Sequence, residues 1–255
     1  MRVSFASATD TGLRRSVNED DLSVREDLGL FVVADGMGGH VAGEVASKAA
    51  IEGIVAFVEA TVSMSPDQTW PFPFDPALSA NGNRLAAGFR MGNRRLSTMT
   101  ASSPELRTMA TTAVAVLIDG GTLTLAHVGD SRIYRLRRGT LERLTCDHSW
   151  VEERVRAGLL SEDQARNHRD RHIVTRAIDG RENLEIDIEE LALEPQDRLL
   201  LCSDGATAVL TDDEIREVLS RDSSLNDLCN ALVQGANDGG GPDNVTAIVL
   251  EIHAV

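Results

Sequence analysis

Short runs of apolar and β-branched residues constrain how this chain can fold. They are 30–34, 113–118, 123–128, 133–136, 199–202 and 245–252. Runs of this length are typical of strands and are too short for most helices. Asp119, Gly120 and Gly121 join the second and third runs as the turn of a hairpin would. The pattern therefore predicts sheets whose strands are mostly antiparallel.

Helical patterns occupy much of the remaining sequence. From Glu44 to about Val62, apolar residues recur at helical spacing with charged residues between them, which indicates an amphipathic helix. A second helix is predicted over 76–99. Shorter helices are expected after four hydroxyl residues suited to N-caps: Ser149, Ser161, Thr211 and Ser224. Since strands and helices do not alternate strictly, an α+β fold with helices covering antiparallel sheets is favoured over a doubly wound sheet.

The charge of the chain excludes some classes of function. Its 40 acidic and 25 basic residues give a net charge of −15, whereas nucleic-acid binding usually needs a basic face. No apolar run approaches the roughly 18 residues that cross a bilayer, and no signal peptide begins the chain. We therefore expect a cytoplasmic protein with no membrane segment and no nucleic-acid partner. Three widely separated cysteines, Cys146, Cys202 and Cys229, indicate neither disulfides nor a paired zinc site.

Aspartates stand at the ends of four apolar runs: Asp35, Asp130, Asp204 and Asp243. If those ends lie side by side, like charges meet where water is scarce, so a cation is needed among them. Carboxylate and backbone oxygens suit Mg²⁺ or Mn²⁺, and Gly36 would let its own carbonyl approach an ion. One Asp-Gly pair alone fits an ordinary turn. The recurrence at four ends is what predicts a metal site.

A basic pair precedes an acidic group near the start of the chain, where residues 9–21 read TDTGLRRSVNEDD. An arginine here would suit a phosphate, because its guanidinium donates two parallel hydrogen bonds. The same residues also fit a solvated loop with local salt bridges. The residues alone leave both interpretations open.

Eight segments follow one another in a characteristic order: TDTGLRRSVNED, FVVADGMGGHVAGEVAS, ATTAVAV, AHVGDSRIY, LTCDHSW, RHIVTRAIDG, LLLCSDG and GGPDNVTAIVL. In this order they closely resemble the bacterial metal-dependent Ser/Thr protein phosphatases of type 2C, over about residues 9–252. The resemblance implies a single catalytic domain, 1–255, built as a four-layer αββα sandwich of two mostly antiparallel sheets flanked by helices. It also implies a flap-like segment at about 146–180.

The resemblance further implies the roles of individual residues in a two-metal centre of Mn²⁺ or Mg²⁺. Asp35 would bridge the two ions, the Gly36 carbonyl would bind one, and Asp204 and Asp243 would complete the other. Four further residues receive supporting roles: Asp130 would hold a third, weaker ion with Asp204, Glu19 and Asp20 would act mainly through metal-bound water, and Arg15 would bind the substrate phosphate.

The implied reaction is hydrolysis of phosphoserine or phosphothreonine in proteins. Two ions ~3.5–4 Å apart would lower the pKa of a shared water, and the resulting hydroxide would attack phosphorus in line. Arg15 and the metals would neutralise charge on the phosphate oxygens, with no covalent phospho-enzyme. The expected partners are phosphorylated proteins and a bacterial Ser/Thr kinase that the enzyme opposes, and we expect a monomer.

Histidines invite further hypotheses. His40 is a candidate general acid, although eukaryotic relatives place theirs directly after Asp-Gly, where this chain has Met37; a structural role at the helix entry is the alternative. Three histidines fall in the flap-like segment and fit structural or substrate-positioning roles better than metal ligation: His148, His168 and His172. His127 is interpreted as a residue of the sheet.

Three departures from the family pattern affect no predicted metal ligand. Ala110 stands where glycine usually precedes two threonines, Arg169 where proline follows histidine, and Ala206 where leucine follows Asp-Gly. We expect them to alter the flap and the substrate preference.

Two other functions are compatible with parts of the pattern. A catalytically silent phosphoprotein-binding module would lack one of Asp35, Asp204 or Asp243, and none is missing. A structural Ca²⁺-binding protein would give Arg15 no purpose and would carry a D-x-D-x-D-G loop with a closing Glu, which is absent.

Overall fold

Two antiparallel sheets stack face to face between layers of helices in the computed structural model, which describes residues 1–38, 41–64 and 70–254. The strands are β1 (Arg2–Asp10), β2 (Asp20–Arg25), β3 (Leu30–Met37), β4 (Ala110–Thr111), β5 (Ala113–Asp119), β6 (Thr122–Val128), β7 (Arg132–Arg137), β8 (Thr140–Arg143), β9 (Asp187–Ala192), β10 (Arg198–Cys202) and β11 (Val245–His253). The helices are α1 (Val41–Thr61), α2 (Ala80–Ser102), α3 (Trp150–Arg156), α4 (Glu162–Arg166), α5 (Asp204–Thr207), α6 (Asp212–Leu219) and α7 (Leu225–Asp238).

The order of strands is β1-β11-β10-β7-β8 in one sheet and β2-β3-β5-β6-β9 in the other, with β4 paired to β3. The named strand pairs are all antiparallel. The sequence prediction of mostly antiparallel sheets is therefore confirmed. The hairpin at 119–122 is confirmed as well, since Asp119 pairs with Thr122.

Alternation along the strands produces three apolar layers. In β3, Phe31 and Val33 face the other sheet, whereas Leu30, Val32 and Ala34 pack under α1 and α2. Successive strand residues point to opposite faces, so a strand with apolar residues throughout must be covered on both sides. Strand β10 is likewise buried on both faces: one face packs against the sheet that contains β3, and the other packs against helices α5 to α7. The αββα sandwich follows from this double burial.

The predicted elements are all present, but the first two helices begin elsewhere than predicted. The first starts at Val41, three residues before the predicted Glu44. All six apolar runs lie in strands, and Ser149, Ser161, Thr211 and Ser224 each cap a helix by accepting a backbone N–H. The helix predicted over 76–99 begins instead at Ala80, because Ser79 adopts extended backbone and caps Asn81 and Gly82, and it continues to Ser102.

Two exclusions from the sequence can be compared with the structure. Cys146, Cys202 and Cys229 are free thiols. Among the helices of the described residues, none has the length and apolar character needed to cross a membrane.

Candidate metal centre

Strand ends from both sheets meet at one end of the sandwich and bring five aspartates together. Asp35 ends the buried part of β3 and pairs directly with Asp20 at the start of β2. Asp204 begins α5 directly after β10, and Asp243 precedes β11, which pairs with β10. Asp130 lies in the link between β6 and β7. The charges of the other four aspartates all act on Asp35, so the predicted convergence is found in the structure.

The crowding of like charges appears in the pKa values of these carboxyls. Burial raises the pKa of Asp35 well above its usual range, and Asp20 and Asp204 raise it further. Burial, followed by the charge of Asp204, does the same for Asp130. Burial raises the pKa of Asp20 to about 7, and burial and Asp243 raise the pKa of Asp204. Such shifts arise where carboxylates lack a compensating cation.

Two carboxylate oxygens at the centre also lack hydrogen-bond partners. Asp20 Oδ1 and Asp204 Oδ1 are buried and accept no hydrogen bond within the described parts of the chain. Buried polar atoms in native proteins are nearly always paired, so oxygens of this kind mark a position for a missing ligand. The hard oxygen donors gathered here fit Mg²⁺ or Mn²⁺.

Hydrogen bonds fix the other oxygen of Asp20. Ser203 Oγ donates to Asp20 Oδ2 at 2.7 Å and accepts the backbone N–H of Thr246 at 3.0 Å. Ser203 thereby joins β2 of one sheet to β11 of the other. Sequence analysis assigned no role to Ser203, although it stands beside Asp204.

Gly36 occupies a position where no side chain fits. Its N–H donates to the carbonyl of Glu19 at 3.1 Å. A Cβ at Gly36 would lie 2.6 Å from that same carbonyl oxygen and would overlap the carbonyl of Gly43 in α1. Glycine therefore lets β3, α1 and Glu19 approach closely at this position.

Arg15 lies at the edge of the cluster. Its Nη2 donates to Asp243 Oδ2 at 2.7 Å, while 47% of its side chain stays exposed. The pKa of Arg15 is raised, chiefly by this hydrogen bond. Asp243 Oδ1 accepts the N–H of Asn244 at 2.8 Å. The arginine is thus held at the aspartate cluster and remains accessible from solvent.

Asn244 holds the N-terminal loop in place, a role that sequence analysis missed. Its Nδ2 donates to the carbonyls of Thr11 and Val17, both at 2.9 Å. Its Oδ1 accepts the N–H of Glu19 at 2.8 Å. The loop that carries Arg15 and Glu19 is therefore fixed to the start of β11.

Two threonines hold the backbone of Asp35 by hydrogen bonds to its carbonyl, and sequence analysis assigned them no role. Thr111 Oγ1 and the N–H of Thr112 both donate to the carbonyl of Asp35, at 2.7 and 2.9 Å. Thr112 Oγ1 also shares a hydrogen bond with Ser131 Oγ at 2.7 Å, next to Asp130. Ala110, the other residue of β4, pairs with Met37 of β3, so this strand accepts an alanine in place of the usual glycine. The ATT motif was the signal that pointed here.

A cavity of about 590 Å³ opens beside Asp130 and Asp204. Residues from α3, α4 and α6 line its far side. An ion pair is part of its lining, in which Arg132 Nη2 lies 2.7 Å from Asp147 Oδ2. Of the flap histidines, His172 lines this cavity, and His168 stacks on Trp150 with ring centroids 5.0 Å apart. His40, the candidate general acid, lies outside the described residues.

His127, His148 and Asp187 form a second cluster whose potential ligand atoms lie within 4.8 Å of one another. The two rings stack with centroids 4.6 Å apart and planes inclined by 15°. A metal bound to histidine lies near the plane of its ring, so nearly parallel planes do not suit one shared ion. His148 Nδ1 also already accepts the N–H of Gly129 at 3.1 Å. Burial lowers the pKa of both rings.

Comparison with known proteins adds a family and a cofactor. The model of the family Protein phosphatase 2C matches residues 13–239. The serine/threonine phosphatase stp of Listeria welshimeri is 34% identical over 249 residues, which are 95% of this chain and 93% of that protein. The serine/threonine protein phosphatase PstP of Mycobacterium tuberculosis is 36% identical over 250 residues, which are 98% of this chain but 45% of that longer protein.

The fold agrees with that of a solved relative that contains metal. The catalytic domain of PstP in complex with two manganese ions superposes with a TM-score of 0.84 at 32% identity, and the match covers 99% of both chains. The predicted fold class, two packed antiparallel sheets with helices, is therefore confirmed.

Proposed function

Since the chain belongs to the Protein phosphatase 2C family and is a metal-dependent serine/threonine protein phosphatase, we propose that the aspartate cluster is its catalytic centre. One observation carries the proposal: carboxylates from five separate positions converge, and burial raises the pKa of four of them, Asp20, Asp35, Asp130 and Asp204. Two of their buried oxygens accept no hydrogen bond from the described residues. That arrangement is costly unless cations bind there.

We assign the ligands according to their place in the cluster. Asp35, on which the charges of the other four aspartates act, would bridge two ions of Mn²⁺ or Mg²⁺, and the Gly36 carbonyl would be a ligand of one of them. Asp204 and Asp243 would complete the second. The buried Asp130, on the cavity side, would hold a third and weaker ion with Asp204. Glu19 and Asp20 would act mainly through metal-bound water.

The bound ions would supply an ionised water near neutral pH and offset the charge of the phosphate. Arg15 binds the phosphate oxygens, because its exposed guanidinium still has donors beyond the one given to Asp243. Ser203 and Thr111 hold the carboxylates and their backbone in place before substrate arrives, which is the preorganisation that electrostatic catalysis needs. The phosphorylated serine or threonine lies at the mouth of the cavity beside Asp204. His40 stays a candidate for the proton donor to the leaving oxygen.

The wider setting follows from the reaction. The substrates are phosphorylated proteins, and we propose that a Ser/Thr kinase supplies them. We further propose that the described segments act as one catalytic domain, in the cytoplasm and as a monomer. The strongly negative charge of the chain agrees with a protein partner and not with a nucleic acid.

A metal-dependence assay tests the assignment. Protein stripped of metal is mixed with a phosphothreonine peptide, with and without Mn²⁺, alongside Asp204→Asn. Turnover should require Mn²⁺ and should fall by at least about 100-fold in the variant, because removing a charge that binds a catalytic metal costs several kcal/mol. Asp222→Asn is the matched control, since this carboxylate is exposed between α6 and α7 and does not line the cavity. Equal turnover by both variants would rule out the proposed centre.

A further inference from the structure

His148 makes hydrogen bonds with both backbone groups of Gly129, the residue that precedes Asp130. The N–H of Gly129 donates to His148 Nδ1 at 3.1 Å, in a buried position. The N–H of His148 donates back to the carbonyl of Gly129 at 2.9 Å. His148 comes from the flap-like segment, and its side chain is only 6% exposed. A residue remote in sequence thus fixes the peptide next to a proposed metal ligand.

The backbone at Gly129 needs this support. Its φ of +107° lies in the region that L-residues with a side chain rarely adopt. A Cβ at this position would overlap the side chain of Thr112. Glycine is flexible, however, so its identity alone does not keep the chain in this conformation. The two hydrogen bonds between Gly129 and His148 keep the chain in this conformation.

The orientation of the His148 ring is fixed in turn. Because Nδ1 accepts a hydrogen bond, the neutral ring carries its proton on Nε2. That Nε2 lies 3.3 Å from Asp187 Oδ2 in β9. Asp187 Oδ1 accepts a hydrogen bond from Arg176 Nη1 at 3.0 Å. Arg176 Nη1 lies at the same distance of 3.3 Å from Nε2. Since Nδ1 is the acceptor for Gly129, the proton on Nε2 is donated to the carboxylate of Asp187, and Arg176 is paired with that carboxylate.

A second pair of contacts prevents the segment around His148 from shifting. His127 stacks on the His148 ring, and its Nε2 lies 2.9 Å from the carbonyl of Cys146. On the other side of Asp130, Arg132 Nε donates to Asp147 Oδ1 at 2.9 Å. Residues 147 and 148 thus hold the chain on both sides of Asp130.

We propose that His148 is a positioning residue whose Nδ1, as the acceptor of the Gly129 N–H, keeps Gly129 in its positive-φ conformation so that the carboxylate of the next residue, Asp130, is presented to the metal centre. The inference rests on the proposed role of Asp130 as a ligand of the weaker ion. It makes the affinity for that ion depend on the flap-like segment, which supplies His148 and also lines the cavity beside Asp130 and Asp204.

The test replaces His148 by residues that differ in where they offer an acceptor. In His148→Asn the amide oxygen falls near the place of Nδ1, in His148→Gln it falls near the place of Nε2, and His148→Leu offers none. Asp130→Asn is the reference for loss of the ligand itself. Mn²⁺ binding is followed by calorimetry and by the resonance signal of free Mn²⁺, and the melting temperature is measured in chelator.

The Leu and Gln variants should bind the weakest Mn²⁺ about 10–100-fold less tightly, as outer hydrogen-bond partners of metal ligands do, and their activity should recover at high Mn²⁺. The Asn variant should bind close to wild type. A merely structural role predicts instead that melting temperatures fall while Mn²⁺ affinity stays unchanged, and that result overturns the inference. If the Leu variant does not fold, the Gln and Asn variants still decide between the two roles.

The reference variant separates two kinds of failure. If Asp130→Asn weakens Mn²⁺ binding and the Leu and Gln variants do not, the positioning role is wrong while the ligand role stands. If Asp130→Asn leaves Mn²⁺ binding unchanged, Asp130 holds no ion and both proposals are overturned.

Discussion

Arg15 and Asp243 are joined by a 2.7 Å hydrogen bond across 228 positions of sequence. The pair brings a phosphate-binding candidate to a metal-ligand candidate, although one lies in the N-terminal loop and the other precedes the last strand. Asn244 creates this proximity because it fixes both segments to each other. The arginine therefore reaches the site through the packing of loops, and not through the sheet.

Replacing Arg15 should weaken engagement of the phosphate. For Arg15→Ala we expect kcat/KM on a phosphothreonine peptide to fall by roughly 10–100-fold, since a hydrogen bond to a charged group is worth about 1.5–3 kcal/mol. Steady-state kinetics at saturating Mn²⁺ check this. Arg14→Ala is the matched control, because Arg14 is an adjacent exposed arginine. Unchanged kinetics for Arg15→Ala, or equal losses in both variants, would contradict the assigned role.

The meeting of Asp35, Asp130, Asp204 and Asp243 could be predicted because each adjoins an apolar run whose pattern is local, whereas Asp20 was placed by the family resemblance alone. Asp35 and Asp204 follow apolar strands, and a strand end is readable from the sequence. Ser203 and Asn244 could not be assigned in this way. Their partners lie 183 and 225 positions away, and neither residue type indicates by itself which distant carboxylate or amide it will contact.

The limits of the fold prediction have a similar cause. Five strands were missed: β1, β2, β4, β8 and β9. In β1 and β9, for example, the residues are almost all exposed or half-buried, so no continuous apolar run marks the strand in the sequence. The start of α2 was misplaced because Pro76 fits a first helical turn, whereas Ser79 is the residue that caps the helix. The contacts of Ser79 with the N–H groups of Asn81 and Gly82 set the later start.

In the metal-free protein, Asp20 should make stability fall as pH rises. Its folded pKa of about 7 exceeds the ordinary aspartate value of 3.8. The contribution of its protonated form is therefore complete below pH about 4 and is lost as pH rises towards 7, by up to about 1.4 kcal/mol per pH unit.

Denaturant unfolding in chelator between pH 4.5 and about 7.5 measures this dependence. Asp20→Asn, which has no proton to lose at this position, should show a smaller decline in the free energy of unfolding, and added Mn²⁺ should reduce the decline in the native protein. An identical pH dependence in the native protein and the variant would contradict the assignment.

Ser203→Ala should reduce both stability and metal affinity. The change removes the donor to Asp20 Oδ2 and leaves the N–H of Thr246 without its acceptor, in a place that is 0% exposed. We expect a loss of about 1–3 kcal/mol in the free energy of unfolding and weaker Mn²⁺ binding by calorimetry.

The control for Ser203 is another serine with a purely local function. Ser224 caps α7 by accepting the N–H of Asp227, so Ser224→Ala should cost about 1 kcal/mol of stability and leave Mn²⁺ affinity unchanged. If Ser203→Ala behaved like Ser224→Ala in both measurements, Ser203 would have no part in holding the carboxylate.

Gly36→Ala should disrupt the junction between β3 and α1. The added methyl would lie 2.6 Å from the Glu19 carbonyl oxygen, and that atom also accepts hydrogen bonds from Ser47 and from Gly36 itself. The backbone must move apart, which displaces the Gly36 carbonyl and Asp35 together.

We expect a melting temperature several degrees lower, as about 1–3 kcal/mol of overpacking would produce, and loss of Mn²⁺-dependent turnover even in protein that remains folded. Gly121→Ala is the control, since a Cβ there would meet only the Met1 side chain at 3.7 Å. Full Mn²⁺-dependent activity in Gly36→Ala would show that this backbone position does not shape the centre.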